Sequence, residues 1–367
     1  MHAFTQAKAK ICLLIACAVV PAVGVGFSTN AQVAPKRAVK APSIVIPRSG
    51  KNDLSIDVEV TDKLGHNVRD LRANEFTLLD NGSPVKLTNF EAVASNTPTA
   101  TPVRVIIVID AINAPFDTVA RMRQQLGEFL AEDGGHLAHP TTIAVLSQWG
   151  LKVTNNSSTD GKALLATLND ANGELREIGK SAGVYGAADR LEWSISQLAQ
   201  LSALEATKPG RKLMLFISPG WPLLSWAGID EQTKERQWTF DSVVSFTNGL
   251  RDAHITVSCI NPYELGRGNP FYYQTYLKAV PSPKQAEYPD LALQVIATHT
   301  GGVVQTNGND ILGALNTAIR DANSYYTLTF EGAHATHPDE YHALQLKVDK
   351  PDVKVRTTYG YYAQTQQ

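Results

Sequence analysis

An uninterrupted apolar run followed by an acid is the feature that most constrains the fold. Residues 103–109 are aliphatic apart from Arg104, and the run ends at Asp110. A strand that is apolar on both faces is typical of a parallel sheet covered by helices on both sides. The run therefore predicts a central parallel strand that ends in a carboxylate.

The segments after Asp110 alternate between helical and strand patterns. Val119, Met122 and Leu126 are spaced three and four apart, which places them on one face of a helix. Strands are predicted at residues 141–147, 151–154, 212–218, 255–260 and 302–305, and helices at 159–168, 186–205, 234–253, 289–298 and 311–322. Because strands separated by helices of this length need right-handed crossovers, residues 102–323 are predicted to form a doubly wound, mostly parallel, Rossmann-like sheet.

A different periodicity precedes this region. Residues 54–60 alternate between apolar and polar side chains, as in a strand with one buried face. Two further strands, 75–79 and 85–91, are predicted to form a hairpin across Asn81 and Gly82 because both residues tolerate positive φ.

Alternating apolar residues return near the end of the chain, at 326–330 and 344–348. These strands, within residues 324–362, resemble those of the N-terminal β unit at residues 53–95. The simplest arrangement packs the two groups together as one antiparallel β-sandwich, with the α/β domain inserted between them.

The N-terminus has the pattern of a secretory signal. Lys8 and Lys10 precede an apolar stretch at residues 11–27, and small residues lead to a cleavage position before Gln32. Residues 1–31 are therefore predicted to be a signal peptide. Export to the periplasm, the cell envelope or the medium is expected.

Residues 32–50 are rich in Pro, Ala and Lys without periodicity, which predicts a flexible linker. Two alternatives to cleavage stay open. Cys17 ends a Leu-Ile-Ala-Cys sequence of the type that is lipidated in lipoproteins, and the stretch 11–27 is near the lower length limit for an uncleaved anchor. No span is expected in the mature chain.

Charge and catalytic motifs limit the function classes. Lys and Arg number 33 against 35 Asp and Glu, with no basic cluster, so nucleic acid is disfavoured as a partner. Cys259 lies in an apolar run and is expected to be a buried hydrophobe. The sequence has no Gly-x-Ser-x-Gly or His-Glu-x-x-His motif, which favours a non-enzyme. The alternative is an envelope hydrolase that uses His334, His337 or His342.

Several motifs, taken in order, resemble the von Willebrand factor A family, in particular the exported VWFA-related proteins abundant in acidobacteria. They are residues 55–62, Asp80-Asn81-Gly82, the strand ending at Asp110, residues 325–328 and residues 356–361. The resemblance covers nearly all of the chain after residue 50. It implies an exported, non-catalytic adhesion or protein-interaction module.

Domains of this family commonly bind Mg²⁺ through an Asp-x-Ser-x-Ser sequence after the first strand, a later Thr, and an Asp after the fourth strand. Asp110 matches the first ligand, but Ile112 and Ala114 stand at the two serine positions. Pro219 appears where the second acid is expected. The resemblance therefore implies a degenerate metal site and no cofactor.

The alternative is a Mg²⁺-dependent adhesion domain with a rearranged site formed by Asp110, Ser181 and Ser218. Hydroxyl and carboxylate oxygens are the ligands that Mg²⁺ prefers. Asn113 lies out of register with the serine positions but close to Asp110 in sequence.

Aromatic residues crowd two loops that follow strands of the predicted sheet. Trp221 and Trp226 follow the fourth strand, and Phe271, Tyr272 and Tyr273 follow the fifth. Both loops leave the sheet at the same edge as Asp110, where open α/β sheets bind ligands. The predicted protein-binding surface comprises these aromatics with Asp110, Asn113, Ser181 and Ser218. The alternative is that the aromatics anchor their own loops.

Overall fold

The computed structural model describes residues 53–94, 102–154, 156–170, 183–222, 231–263, 271–306 and 308–365. The predicted signal peptide and linker, together with Ser181 and Trp226, lie outside these ranges. No helix within them has the length and apolar character needed to cross a bilayer.

Four strands open the described chain: β1 (Asp53–Asp62), β2 (Phe76–Asp80), β3 (Ser83–Val85) and β4 (Leu87–Ala94). The β2–β3 hairpin turns at Asn81 and Gly82, whose φ values of 46° and 81° are those of a type I′ turn. The single strand predicted at residues 85–91 is wrong. The strand is interrupted at Lys86, where β3 has ended and β4 has not begun, and β4 joins a different sheet from β3.

A mostly parallel sheet forms the centre of the molecule, so the predicted mixed α/β class is confirmed at this level. Its strands are β5 (Arg104–Asp110), β6 (His136–Ser147), β7 (Gly150–Val153), β8 (Ser158–Asp160), β9 (Lys212–Ile217), β10 (Ile255–Ile260) and β11 (Val304–Gln305). Within the described residues, the parallel order is β6-β5-β9-β10-β11, and β7 and β8 pair antiparallel with β6.

Helices cover both faces of this sheet. They are α1 (Phe116–Ala131), α2 (Gly161–Asp170), α3 (Gly183–Ala206), α4 (Thr233–Asp252), α5 (Leu293–His299) and α6 (Ile311–Ala318). Apolar side chains of α1, α2 and α6 form the core on one face, and those of α3, α4 and α5 form it on the other. The predicted helices 289–298 and 311–322 are shorter α-helices extended by 3₁₀ turns at Tyr288–Leu291 and Ile319–Ala322.

The chain closes with β12 (Ser324–Glu331), β13 (Glu340–Val348), β14 (Val353–Thr357) and β15 (Gly360–Ala363). These strands pair with the N-terminal ones in two antiparallel sheets, in the orders β14-β1-β12-β4 and β15-β13-β2-β3. Ile56, Val58, Leu78, Leu328 and Phe330 are buried in a core that both sheets share. The two ends of the described chain thus build one β-sandwich.

A buried ionic cluster joins this β-sandwich to the amino ends of the parallel strands. Arg211 precedes β9, and its guanidinium contacts the carboxylate of Glu59 in β1. Its Nη1 donates to the carbonyl oxygen of Asp321 at 2.8 Å, and its Cζ lies 4.6 Å from the centre of the Tyr325 ring. Because this junction lies at the amino ends of the strands, it does not cover the carboxyl edge, where β5 ends at Asp110.

Candidate functional site

Asp110 and Ser218 lie at the switch point of the parallel sheet, where the order in which the strands are added reverses. From β5 the chain moves to β6 on one side, and it later returns to β9 on the other side of β5. Asp110 is the last residue of β5, and Ser218 directly follows β9. In open α/β sheets, ligands bind in the crevice outside the carboxyl ends of strands at such a switch point.

The Asp110 carboxylate is surrounded by hydrogen-bond donors of the protein. Its Oδ1 accepts bonds from the backbone N–H groups of Ile112, at 3.1 Å, and Asn113, at 3.0 Å. Its Oδ2 accepts the Ser218 hydroxyl at 2.6 Å. The Asn113 side-chain amide also donates, with Nδ2 2.9 Å from Oδ2 and 3.2 Å from Oδ1.

Burial affects the acidity of Asp110. Asp110 has no solvent exposure, and the loss of hydration raises the pKa of its carboxyl above the usual value of 3.8. The hydrogen bonds from Ser218, Asn113 and Ile112 act in the opposite direction but do not cancel the effect of burial. The anion therefore depends on neutral donors for its stabilisation.

Asn113 also links the loop after β5 to helix α3. Its Nδ2 lies 3.0 Å from the Ser194 hydroxyl oxygen, and that hydroxyl donates to the Arg190 carbonyl at 2.7 Å. The Asn113 Oδ1 atom is buried without a hydrogen-bond partner among the described residues. Sequence reasoning did not predict the contact with Ser194, which lies 81 positions away.

The described residues at this edge do not fit a Mg²⁺ site. A hard octahedral cation needs several oxygen ligands with free lone pairs, whereas Asp110 is already hydrogen bonded by the protein on both oxygens. Ile112 and Ala114 are buried in the apolar cores. Within the described part of the chain, no group of three or more His, Cys, Asp or Glu side chains is placed to hold a metal ion.

The predicted loop aromatics differ in exposure. Trp221 and Tyr273 are buried, and Trp221 packs edge-on against Phe216 with ring centres 6.0 Å apart. The Tyr272 hydroxyl donates to Gln294 Oε1 at 3.0 Å. Phe271 is 48% exposed. The positions of Trp221 and Tyr273 fit the alternative in which these aromatics anchor their own loops.

Three exposed aromatics that were not among the predicted binding residues lie on elements at this edge of the sheet. Phe116 opens α1, Trp149 lies in the β6–β7 turn and Trp193 lies on α3, with 56%, 69% and 37% exposure. The Trp193 indole N–H donates to the Ser147 carbonyl at 2.9 Å. The backbone N–H of Trp149 donates to the Ser147 hydroxyl at 3.2 Å. We call Phe116, Trp149 and Trp193 the carboxyl-edge aromatic surface.

A signal for two of these residues was present in the sequence. Trp149 precedes Gly150 in a tight turn, where a large apolar side chain has no helix or strand face to bury. Trp193 lies off the stripe that Leu191, Ile195 and Leu198 form on α3. Both positions indicate side chains that point away from the core.

The C-terminal histidines occupy different environments. His342 is buried, with Nδ1 2.7 Å from Asp80 Oδ1, and its ring stacks on Tyr361, which donates to Asp80 Oδ2 at 2.6 Å. The exposed His337 contacts the Pro338 carbonyl instead. Among the described residues, no Ser or Cys side chain is hydrogen bonded to His342. The cluster supports the β-sandwich core.

Comparison with known proteins gives little further information. No protein-family model and no curated protein sequence matches the chain. The human COPII-coat protein Sec24c aligns at 9% identity over 72% of this chain and 44% of its own, with a TM-score of 0.33.

Two other solved structures align in a similar way. Proximal thread matrix protein 1 from the mussel byssus aligns at 16% identity over 60% of this chain and 48% of its own, with a TM-score of 0.30. The pilus adhesin SpaC from Lactobacillus rhamnosus GG, in its open conformation, aligns at 10% identity over 83% and 47%, with a TM-score of 0.33. The chain spans less than half the length of each of these three structures. At these scores, the alignments identify neither a family nor a function.

Proposed function

We propose that this chain is an exported, non-catalytic interaction module of the von Willebrand factor A type. In this proposal, residues 102–323 form the doubly wound, Rossmann-like domain of that family. The domain binds a protein partner through the carboxyl edge of its sheet. The observation that carries the proposal is the exposure of the carboxyl-edge aromatic surface, whose residues lie on elements at the edge where β5 ends at the buried Asp110.

The exposure of these side chains supports a binding role. Leaving indole and phenyl rings in water forgoes the free energy of burying them, and Trp is enriched among the residues that dominate protein interfaces. The Trp193 ring and the turn that carries Trp149 also have defined positions. Trp193 is fixed to the Ser147 carbonyl, and the β6–β7 turn is held on α3 by the bond from Leu151 N–H to Gln197 Oε1 at 2.9 Å. A preorganised surface loses less conformational entropy on binding.

The alternative is adhesion that depends on Mg²⁺ held by Asp110, Ser181 and Ser218. The contact between Ser218 and Asp110 favours it, because two of the three ligands lie side by side. Against it, that contact uses the Ser218 proton to satisfy the carboxylate, so a metal would have to displace donors that the fold already supplies.

Binding experiments separate the two functions. Chemical cross-linking to isolated cell envelopes identifies candidate partners, and surface plasmon resonance then measures the affinity of each purified candidate. We expect Trp149→Ala with Trp193→Ala to weaken binding at least about tenfold, as for loss of an interface hot spot. Leu204→Ala, which removes another exposed apolar side chain of α3, is the matched control and should bind like wild type.

The outcomes are distinct. Unchanged affinity in the double Trp variant would disprove the aromatic surface as the binding site. Binding that a chelator abolishes and Mg²⁺ restores would favour the metal-dependent alternative.

A further inference from the structure

The side-chain amide of Asn113 lies at the centre of the buried polar cluster. Its Nδ2 is within 3.2 Å of both Asp110 oxygens and 3.0 Å from Ser194 Oγ. These three acceptors come from two separate elements, the end of β5 and helix α3. One NH₂ group therefore holds together oxygens of Asp110 and Ser194, which are 84 positions apart in the chain.

The electrostatics of the cluster give this NH₂ group a cation-like role. Asp110 is completely buried, and its donors among the described residues are hydroxyl, backbone and side-chain amide groups rather than cations. In a medium of low polarity, the partial positive charge of an N–H group interacts strongly with a carboxylate. The amide also projects from the loop after β5, between the acid and α3, which is the space where a bridging ion would meet both elements.

We propose that the Asn113 amide is a built-in replacement for a cation at the switch point of the sheet. It joins Asp110 to Ser194 and so fixes the loop after β5 against α3 in one arrangement that needs no metal. Since Trp193 is the neighbour of Ser194, Asn113 is also a positioning residue for the carboxyl-edge aromatic surface. Only this last consequence rests on the proposed function.

The inference predicts that changing the amide creates a metal site. In Asn113→Asp the NH₂ group is replaced by a carboxylate oxygen, which then lies beside Asp110 and Ser194. Two carboxylates at this distance repel each other, and a divalent cation between them relieves the repulsion. The variant would offer a hard cation an all-oxygen set of ligands that the wild-type protein lacks.

The test measures Mn²⁺ binding by electron paramagnetic resonance and the thermal midpoint of the purified protein in chelator and in excess Mn²⁺. No partner protein is present. We expect wild type to show no bound Mn²⁺ and the same midpoint in both conditions. Asn113→Asp should have a lower midpoint in chelator, bind one Mn²⁺ and recover stability with the metal.

Two controls define the site. Asn113→Asp combined with Asp110→Asn should lose the bound Mn²⁺, because one of the two carboxylates is removed. Asn89→Asp adds the same charge at an exposed position of β4 and should bind no Mn²⁺. If Asn113→Asp does not fold, Asn113→Ser decides the question through stability, since it removes the amide that joins Asp110 to Ser194 and should lower the thermal midpoint more than Asn89→Ser does.

Three results would overturn the inference. They are Mn²⁺ binding by wild type that Asp110→Asn abolishes, an Asn113→Asp variant that responds to Mn²⁺ no more than Asn89→Asp, and, where Asn113→Asp fails to fold, an Asn113→Ser variant whose thermal midpoint is no lower than that of Asn89→Ser. Each concerns the cluster around Asn113 alone and involves no partner protein. A failure of the partner-binding experiment would leave this inference standing, and a failure here would leave the aromatic surface to be judged by its own binding data.

Discussion

The hydroxyl of Ser218 donates a hydrogen bond of 2.6 Å to Oδ2 of Asp110, and neither residue has any solvent exposure. The bond joins the ends of β5 and β9, two neighbouring parallel strands. The Ser218 oxygen also accepts the N–H of Gly220 at 3.0 Å, which ties the following loop to the same point. One hydroxyl therefore supports both the buried anion and the course of the chain beyond the sheet.

Removing this hydroxyl should destabilise the protein. We expect Ser218→Ala to lower the free energy of unfolding by about 2 kcal/mol, because a hydrogen bond to a buried charged acceptor is lost. Ser242→Ala is the matched control, since the Ser242 hydroxyl is buried on α4 without a partner among the described residues. Urea titration measures both variants, and equal losses would contradict the assigned role of Ser218.

Arg211 should be among the most sensitive positions for stability. Its side chain is 1% exposed and contacts Glu59, which is 2% exposed. Replacement by Met leaves a buried carboxylate without its cation, so we expect Arg211→Met to cost about 3–5 kcal/mol. The exposed pair Lys63–Asp352, at 2.6 Å, is the control, and Lys63→Met should cost less than about 1 kcal/mol. Similar losses in the two variants would show that the buried cluster is not a structural junction.

The pair formed by His254 and Asp57 should make stability depend on pH. The His254 Nδ1 lies 3.3 Å from Asp57 Oδ2, and this hydrogen bond raises the pKa of His254 above 6.5 against the opposing effect of burial. Burial raises the pKa of Asp57, but the hydrogen bond and charge of His254, with the charge of Arg211, outweigh it and lower that pKa below 3.8.

The signs of these shifts define two pH ranges. The raised pKa of His254 contributes stability that is complete below its unfolded value near 6.5 and is lost as the pH rises through the folded value. The lowered pKa of Asp57 contributes stability above 3.8 that is lost as the pH falls through its folded value. We therefore expect the stability difference between wild type and His254→Asn to shrink from mildly acidic to alkaline pH.

Asn is chosen because His254 has a φ of 52°, a conformation that Asn tolerates. The control is His66→Asn, which removes the histidine of the exposed His66–Asp62 pair. Denaturant titrations from mildly acidic to alkaline pH should give a nearly constant stability difference between wild type and this control. A constant difference for His254→Asn as well would rule out the proposed linkage.

Cys259 should report on opening of the core beneath the candidate site. Its thiol is fully buried, and burial, with a smaller effect of the Asp110 charge, raises the thiol pKa. We expect iodoacetamide to label Cys259 only at the rate of unfolding, because the reactive thiolate is absent from the folded protein. Mass spectrometry of the Cys259 peptide measures labelling. Leu204→Cys, at an exposed position of α3, should react rapidly, and fast native labelling of Cys259 would contradict its burial.

Local patterns predicted much of the secondary structure. Val119, Met122 and Leu126 all face the core from α1, because a spacing of three and four places them on one side of any helix. Asn81 and Gly82 form the expected turn. The interruption between β3 and β4 at Lys86 was missed, because residues 85–91 satisfy the strand pattern whichever sheet they join. Sheet membership depends on partners far away in the chain.

The candidate site was also predictable only in part from the sequence. The apolar run that ends at Asp110 predicted a carboxylate at the carboxyl edge of the sheet, where β5 ends at Asp110. Ile112 and Ala114 offer no side-chain oxygen at the two positions where the resemblance leads us to expect serines. The buried positions of Trp221 and Tyr273 were not predictable, since aromatic side chains in a loop can face the core or the solvent with the same sequence. The same holds for the Asn113–Ser194 contact.

The sequence by itself determined where most strands and helices form, which chain segments alternate in type, and that an acid ends the first parallel strand. These properties follow from backbone preferences and side-chain periodicity within a few turns of chain. Tertiary structure alone decided that Asn113 contacts Ser194 and that Arg211 contacts Glu59, 152 positions away. It also decided that the Trp193 indole bonds to Ser147, the residue to which the Trp149 backbone is bonded. The physical reason is that such contacts depend on which strands become neighbours. That choice minimises the free energy of the whole core and is not encoded in any short segment.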